Sequence, residues 1–407
     1  MAQLLWGNVY YKEHFAGVLR EESGGRIVFE YDAVYVDGGG ESIAWTLPVE
    51  KLVHVSDVGL HPFFDNLVAE GWLERAQERV LGWRQGEVSR LELLLAFGYD
   101  CIGAVSVMDP EPAELSERLL DMRDVKDVAA FRGRASLSGV QPKCAVVERG
   151  GKYYAVQGRE LSTHIAKFPS RGHADLVDNE YLTTQAFRAL LPDEKVVDLN
   201  IGALEGEGDG EPALIIKRFD REAGKRIPFE EFNQLLGKLS RNKYKGAYSE
   251  MSHFILNTKG CLPVENYRLY ARILAGFLLG NTDMHFKNFG MFREPDGSLR
   301  LTPVYDQVAA CLYDYKAVAL AMGGAEELPL KDLNAKKIVA LGEAFGLNKA
   351  AIAMAVERLG RNKASAQAAI ADAPFGEVSL KEKLIQLIET RWNGTYNSIG
   401  KVLSKKR

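Results

Sequence analysis

The chain has 407 residues, of which 46% are hydrophobic and 26% are charged, with a formal net charge of −4 and an isoelectric point of about 6.1. These proportions are typical of a folded globular protein with buried cores, and the length predicts two or three domains. The slight acidic excess disfavours a large nucleic-acid-binding face on this chain.

No segment is predicted to cross a membrane or to direct the chain out of the cell. The densest apolar run, residues 273–279, is far shorter than the roughly 18 residues that a spanning helix needs. The N-terminus lacks the apolar core of a signal peptide. The cysteines are widely spaced without a C-x-x-C pair, which is typical of thiols in a reducing compartment: Cys101, Cys144, Cys261 and Cys311. We therefore expect a cytoplasmic protein.

The first predicted domain is a small α/β module spanning residues 1–108. Residues 4–53 contain short β-branched and aromatic runs separated by glycine turns, a pattern that predicts strands. Residues 62–84 are predicted to be helical. Ser89 followed by Glu92 is the signature of a capping box, and it predicts the start of a second helix. An acidic, proline-containing segment at 109–112 marks the boundary.

The second predicted domain, residues 109–225, is a β-rich lobe with one helix. Alternating and apolar runs separated by tight turns predict its strands. The helix is predicted from the apolar stripe in residues 178–191. The strands are predicted at 144–148, 153–156, 163–168 and 213–216.

The third predicted domain, residues 226–407, is helical. Pro263 suits the first position of a helix whose apolar stripe runs on to Gly280, where the helix is predicted to end. Ser379 and Glu382 predict a capped last helix. A β-rich lobe followed by a helical lobe is an α+β arrangement with a cleft between the lobes.

The loop after Gly280 carries the strongest chemical pattern in the chain. Asp283 is followed five positions later by Asn288, which is the spacing of the protein-kinase catalytic loop, and Lys287 lies beside the asparagine. In such a loop the aspartate accepts the proton of the attacking hydroxyl, and a lysine stabilises the transferred phosphoryl group. By itself this spacing also fits a polar turn in which both side chains make local hydrogen bonds.

A second acidic residue follows at the end of a short β-prone run. Asp306 ends the segment 301–306, where a kinase places its second magnesium-binding carboxylate. No Phe-Gly pair follows Asp306, so the chain is not predicted to be a conventional eukaryotic kinase. Two acids and an asparagine in this order favour phosphoryl transfer.

Three earlier segments contain candidate nucleotide ligands. The loop 136–143 has small residues and Lys143, and it is either a phosphate-binding loop or an ordinary turn leading into a strand. Lys167 lies inside an apolar strand and either reaches solvent or binds phosphates, with Glu180 as a possible ion-pair partner. The charged run 217–220 follows a buried strand and is either a hinge that holds adenine or a solvated surface.

Taken together, these segments resemble the HipA family of bacterial serine/threonine kinase toxins. The resemblance covers most of the chain, and its specificity lies in the combination of motifs rather than in any one of them. The motifs are, in order, SLSGVQPK at 136–143, THIAK at 163–167, VDNEY at 177–181, RFDR at 218–221, NTDMHFKNF at 281–289 and LTPVYD at 301–306.

The resemblance implies a bilobal, protein-kinase-like fold with an extra small N-terminal module, and it implies residue roles. Asp283 would be the catalytic base with Lys287 beside the transferred group, and Asn288 and Asp306 would bind Mg²⁺. Autophosphorylation would occur at Ser136 or Ser138. ATP would be bound by Ser138, Gly139, Val140, Gln141, Lys143, Lys167, Lys217, Arg218, Phe219 and His285. Pro142 departs from relatives that carry an acidic residue there, which bears on the mobility of the loop.

The resemblance also implies partners. A member of this family would pair with a HipB-like helix-turn-helix antitoxin, bind operator DNA through that complex, and phosphorylate a protein such as an aminoacyl-tRNA synthetase. The residues alone leave two alternatives open. One is a small-molecule or lipid kinase, and the other is a nucleotide-binding corepressor that acts through a DNA-binding partner.

Overall fold

The computed structural model describes residues 4–81, 88–110, 137, 141–170, 172–205 and 212–404. The chain forms two compact units. The first unit comprises Met1–Gly172 and Asp198–Ser240, and the second comprises His173–Val197 and Arg241–Arg407. The predicted domain boundaries at 108 and 225 stay predictions. The helix that was predicted within the β-rich lobe belongs to the second unit.

Strands are confined mainly to the first half of the described chain. They are β1 Trp6–Tyr11, β2 His14–Glu21, β3 Ile27–Tyr31, β4 Val53–Ser56, β5 Val105–Met108, β6 Lys143–Arg149, β7 Lys152–Ala155, β8 His164–Lys167, β9 Leu199–Gly202, β10 Ala213–Lys217, β11 Arg221–Glu222, β12 Lys225–Arg226, β13 Phe229–Glu231, β14 Gly290–Arg293 and β15 Leu299–Leu301.

The longer helices lie in the second unit. In chain order the described α-helices are α1 Ala33–Asp37, α2 Pro62–Asp65, α3 Gly71–Val80, α4 Arg90–Phe97, α5 Leu176–Leu190, α6 Phe232–Leu235, α7 Tyr248–Asn257, α8 Pro263–Leu278, α9 Ala335–Ala344, α10 Lys349–Ala371, α11 Val378–Gly394 and α12 Ile399–Ser404. Within the described ranges, no helix has the length and apolar character needed to cross a bilayer.

The N-terminal module is an antiparallel sheet in the order β4-β3-β2-β1-β5 with helices packed on its apolar face. The residues of β1 alternate between buried and more exposed positions, as expected for a strand with one face on the core. The predicted capping box of α4 is present: the Glu92 N–H donates to Ser89 Oγ at 3.2 Å, and the Ser89 N–H donates to Glu92 Oε2 at 2.7 Å. The predicted helix at 62–84 is interrupted, and only α2 and α3 are described there.

The second sheet of the first unit has the order β7-β6-β8-β10-β9. All of its described pairings are antiparallel. Its central strands are apolar on the face that packs on a core including Val146, Ala166 and Ile215. Lys143 at the start of β6 is the direct partner of Lys167 at the end of β8, so the two side chains project from the same face of the sheet.

The second unit is built around helices, and α5 packs against α10. Helix α8 begins with Pro263 at its first turn, as predicted. A strand pair, β14 with β15, interrupts the helices. Strand β14 was not predicted, and β15 overlaps the predicted β-prone run 301–306 only at Leu301. The predicted capping box at Ser379 is wrong, because α11 begins at Val378 with Glu377 as its N-cap. The observed N-cap lies two residues before the predicted one, and it directly follows Gly376, whose φ of 88° suits glycine.

Candidate active site

The candidate catalytic loop begins at a fixed point, Gly280. This residue follows α8 with φ of 79°, a conformation that suits glycine at the end of a helix. A Cβ at this position would lie 2.5 Å from the Leu387 Cδ2 atom and 2.6 Å from the Cys311 Sγ atom. The Cys311 N–H also donates to the Gly280 carbonyl at 3.1 Å. Packing and backbone conformation therefore both require the glycine that the sequence placed here.

Asn281 connects this loop to the segment that carries Asp306. Its Oδ1 atom accepts the Asp283 N–H at 3.1 Å, and its Nδ2 atom donates to the Asp306 carbonyl at 3.2 Å. Asn281 is 1% exposed, and both bonds are partly buried. One buried side chain thus fixes the backbone at both predicted acidic residues.

The carboxylate of Asp283 has an environment suited to a base. The Tyr244 hydroxyl donates to Asp283 Oδ1 at 2.9 Å. The pKa of Asp283 is raised to about 6, mainly by burial. The Tyr244 hydrogen bond and Lys243 act in the opposite direction, and the nearby Asp306 contributes to the rise. A carboxylate whose pKa lies near neutrality binds a proton more strongly than an ordinary aspartate, yet remains ionised at neutral pH.

The segment from His285 to Asn288 forms a 3₁₀ turn that its own side chains cap. The Lys287 N–H donates to His285 Nδ1 at 3.2 Å, and the His285 N–H donates to Asn288 Oδ1 at 3.1 Å. The Tyr305 hydroxyl donates to the Lys287 carbonyl at 2.9 Å. Lys287 is 2% exposed. The predicted residues of this turn are therefore held together with Asp283 in the second unit.

The predicted metal ligands are neighbours. Asn288 Nδ2 donates to Asp306 Oδ2 at 3.2 Å. Asp306 has φ of 52°, a left-handed conformation that aspartate tolerates better than most residues and that is enriched at functional sites. Mg²⁺ takes oxygen ligands, commonly one or two protein side chains together with water and nucleotide phosphates. The donor set fits such an ion, although in this structure the Asn288 nitrogen, not its oxygen, faces Asp306.

The two lysines predicted to bind phosphates are brought together in the first unit. Lys143 is 4% exposed and Lys167 is 7% exposed, and they lie opposite each other on β6 and β8. Like charges directly opposite on neighbouring strands repel each other. Their positions are compatible with the predicted role of both lysines as phosphate ligands.

The predicted nucleotide loop lies mostly outside the described residues, including Ser136, Ser138, Gly139 and Val140. Its last part is described. Gln141 Nε2 donates to the Phe168 carbonyl at 2.8 Å, and the Phe168 N–H donates to the Pro142 carbonyl at 2.9 Å. These bonds fix the chain at the start of β6, where the loop ends.

The side chain of Arg218, a predicted adenine ligand, lies among buried acidic residues. Its guanidinium donates to Asp220 Oδ2 at 2.6 Å and lies 3.3 Å from Asp100 Oδ2. Arg221 donates to the same two acids, at 2.7 Å to Asp100 and 3.0 Å to Asp220. The Ser162 hydroxyl donates to Asp100 at 2.6 Å. The Arg218 side chain is thus part of a buried ion-pair cluster. That the backbone of Arg218 binds adenine stays a prediction.

The remaining predicted ligands are distributed over both units. Lys217 is exposed at the end of β10. The Phe219 ring packs edge-on against Phe229, with their centroids 4.9 Å apart. Lys167 belongs to the first unit and the buried Glu180 to the second, so their predicted ion pair stays a prediction.

Three residues of the site were missed by sequence reasoning: Lys243, Tyr244 and Asn281. Asn281 lay within the quoted motif, and an asparagine two positions before an aspartate is a recognisable turn signal. Tyr244 reaches Asp283 from 39 residues away. No spacing rule connects those two positions, so sequence alone contained no signal for this contact.

Comparison with known proteins places this arrangement in a family. The profile described as the HipA-like C-terminal domain matches residues 135–368, and the profile described as the HipA N-terminal domain matches residues 7–108. The chain belongs to the HipA family. The predicted resemblance is therefore confirmed for both parts of the chain.

Relatives of this HipA-family protein are named as kinases. A putative kinase of Sinorhizobium fredii is 28% identical over 339 residues, covering 78% of each chain. The serine/threonine-protein kinase toxin HipA of Shewanella oneidensis is 27% identical over 307 residues, covering 66% of this chain and 68% of the relative.

A solved structure shows the same fold. HipA in the Shewanella oneidensis complex of HipA, HipB and operator DNA aligns with a TM-score of 0.74 at 20% identity, covering 97% of this chain and 99% of that one. The predicted α+β, HipA-like fold is confirmed by this match.

Proposed function

We propose that this HipA-family protein is a Mg-ATP-dependent protein serine/threonine kinase. The observation that carries the proposal is the environment of Asp283. Its pKa is raised to about 6, and its loop is joined through Asn281 to the segment that ends in Asp306. The names of the matched relatives support kinase activity and, for one of them, serine/threonine specificity.

The chemistry assigned to these residues is an in-line displacement. The hydroxyl oxygen of the acceptor attacks the γ-phosphorus of ATP, its proton passes to Asp283, and the bond to the β-phosphate oxygen breaks to release ADP. Lys287 stabilises the negative charge on the transferred group. Bound Mg²⁺, held by Asn288 and Asp306, would neutralise phosphate charge.

ATP binding is assigned to the first unit. Lys143 and Lys167 present two ammonium groups from one face of the sheet, which matches the several negative charges of a triphosphate. The loop that ends at Gln141 is assigned to the phosphates, with Ser136 or Ser138 as the site of autophosphorylation. A phosphate there would add about −1.5 to −2 charges and repel the bound nucleotide.

Partner and substrate are proposed from the same family membership. We assign the chain as the toxin of a type II toxin–antitoxin pair in the cytoplasm, with a HipB-like antitoxin that provides the DNA contact. The solved relative was crystallised with HipB and operator DNA, which supports this assignment. The acidic balance of this chain agrees with DNA affinity supplied by a partner. An aminoacyl-tRNA synthetase is the proposed substrate class.

The test is phosphate transfer from γ-labelled ATP in a bacterial lysate, with wild type compared with Asp283→Ala. We expect labelled proteins with the wild type only, and ATP-dependent thermal stabilisation of both proteins, because the lysines are unchanged. Label found only on small molecules would overturn the protein-kinase assignment and favour a small-molecule kinase. ATP binding without any transfer by the wild type would favour a corepressor.

A separate measurement addresses the loop. After incubation with Mg-ATP, mass spectrometry of the peptide spanning residues 135–143 is expected to show added phosphate, accompanied by weaker ATP binding. An unmodified peptide in an active enzyme, or a phosphorylated one that binds ATP as before, would contradict autophosphorylation as a control device.

A further inference from the structure

Tyr244 is attached to the catalytic loop in three ways. Its hydroxyl donates to Asp283 Oδ1 at 2.9 Å, and its ring packs edge-on against His285 with centroids 4.9 Å apart. The preceding residue, Lys243, accepts the Phe286 N–H through its carbonyl at 3.2 Å. The tyrosine therefore has a defined position relative to the loop.

The segment that carries Tyr244 is also anchored on its other side. The Ala321 N–H donates to the Gly246 carbonyl at 2.8 Å. Gly246 has φ of 143°, and a Cβ there would lie 2.1 Å from Glu250 Oε1 and 2.9 Å from the Phe286 ring. This close approach requires glycine two residues after the tyrosine. The segment on the C-terminal side of Tyr244 is therefore packed closely against its neighbours.

Tyr244 nevertheless faces solvent, because 43% of its surface is exposed. Its hydrogen bond to Asp283 therefore lies at the exposed edge of the site and not in the core. The phenolic hydroxyl uses one carboxylate oxygen, Oδ1, and this assigns Oδ2 to the incoming hydroxyl.

We propose that Tyr244 is a positioning residue of the phosphotransfer reaction, which holds the Asp283 carboxylate so that Oδ2 receives the proton of the acceptor hydroxyl. This inference rests on the proposed kinase function and deepens it. A carboxylate with one oxygen fixed cannot rotate freely, so its second oxygen is already oriented when the acceptor arrives. The hydroxyl of Tyr244 keeps its own proton throughout, and the proton that Asp283 gains comes from the acceptor.

The experiment uses the full chain and compares the wild type with Tyr244→Phe, Asp283→Ala and the double variant. Tyr315→Phe is the matched control, because Tyr315 is 51% exposed and contacts the loop through its backbone carbonyl, which accepts from the Thr282 hydroxyl at 2.6 Å. The reactions are ATP hydrolysis, with water as the acceptor, and phosphate transfer to dephosphorylated casein. Affinity for a non-hydrolysable ATP analogue with Mg²⁺ is measured in parallel.

We expect kcat of Tyr244→Phe to fall about 10-fold to 100-fold, the effect of losing one hydrogen bond to a charged group. Its KM for ATP and its affinity for the analogue should equal those of the wild type and of Tyr315→Phe. In the Asp283→Ala background, Tyr244→Phe should cause no additional loss, because the hydroxyl then has no carboxylate to orient. A residue with only a structural role would instead add its effect to that of Asp283→Ala.

Three outcomes would overturn the inference. Tyr244→Phe could retain the wild-type rate while Asp283→Ala is inactive, which would refute the positioning role and leave the kinase function intact. It could react faster than the wild type, which would show that the tyrosine blocks the base. A wild type that binds the analogue but produces neither ADP nor labelled casein, and labels no protein in the bacterial lysate, would refute the proposed function itself, and the role of Tyr244 with it.

Discussion

Two acidic residues of this molecule, Asp220 and Asp283, show opposite electrostatic behaviour. In the first unit, Asp220 accepts from Arg218 at 2.6 Å, from Arg221 at 3.0 Å and from the Gly103 N–H at 2.8 Å. These neighbours hold the pKa of Asp220 well below its usual range despite complete burial. In the second unit, burial raises the pKa of Asp283 to about 6, and the hydrogen bond that it receives comes from an uncharged tyrosine.

The difference shows what each carboxylate can do. Two guanidinium groups compensate Asp220, so its charge contributes to holding β10 and the residues around Asp100 together but has little affinity for a proton. Asp283 lacks such full compensation and retains affinity for a proton near neutral pH. The carboxylate whose desolvation is less well compensated is thus the one suited to accept a proton. The following predictions test this contrast.

The largest expected effect is on the rate of Asp283→Asn. Loss of the base should lower kcat by about 10²-fold to 10⁴-fold. Removal of a desolvated charge should at the same time raise the free energy of unfolding at pH 7, by up to about 2 kcal/mol after allowance for solvent screening. Kinetic assays and urea unfolding measure the two effects. Reduced stability would show that Asp283 is compensated after all.

The converse is expected for Asp220→Asn. Loss of this charge leaves Arg218 and Arg221 buried with a single remaining acid, and should lower the free energy of unfolding by about 3–5 kcal/mol. Asp57→Asn is the control, because Asp57 is 88% exposed and lies 3.7 Å from Arg26, so its loss should change stability little. If the two variants unfold at the same urea concentration, the cluster does not stabilise the first unit.

The smallest effect is the pH dependence of the wild type. Since Asp283 must be ionised to accept a proton, kcat/KM should fall about tenfold per pH unit below pH 6. The folded pKa values of Asp100 and Asp220 are depressed, so their contribution to stability is present above the unfolded value of 3.8 and is lost only as pH falls below it. Activity should therefore fall at pH 5 while circular dichroism remains native. Coincident loss of both would contradict the contrast.

Local signals in the sequence predicted much of the fold. Pro263 and Gly280 bounded α8, and the pair Ser89 and Glu92 located the start of α4, because such effects depend on residues within one turn. The same kind of pattern failed at Ser379. There a positive φ at Gly376 started the helix earlier, and the pattern contained no information about that turn.

The candidate site was predicted mainly from residues that share a loop or follow it closely in the sequence. Asp283 and Asn288 share one loop, and their spacing was sufficient to select them. The ion pair between the Arg218 side chain and Asp100, 118 residues away and 3.3 Å apart, could not be predicted from the sequence, and the role of Arg218 at adenine stays a prediction. Tyr244 was missed for the same reason. Contacts between distant segments depend on the tertiary fold, and local patterns in a single sequence do not contain that information.

The division of the chain into interleaved units has a consequence for its synthesis. Helix α5 emerges from the ribosome soon after β8, yet its main packing partner is α10, which is translated much later. Until then α5, whose buried residues include Leu182 and Phe187, lacks its largest helix contact. The nascent chain therefore has a long interval in which an unfinished second unit presents apolar surface, and chaperones act on such surfaces.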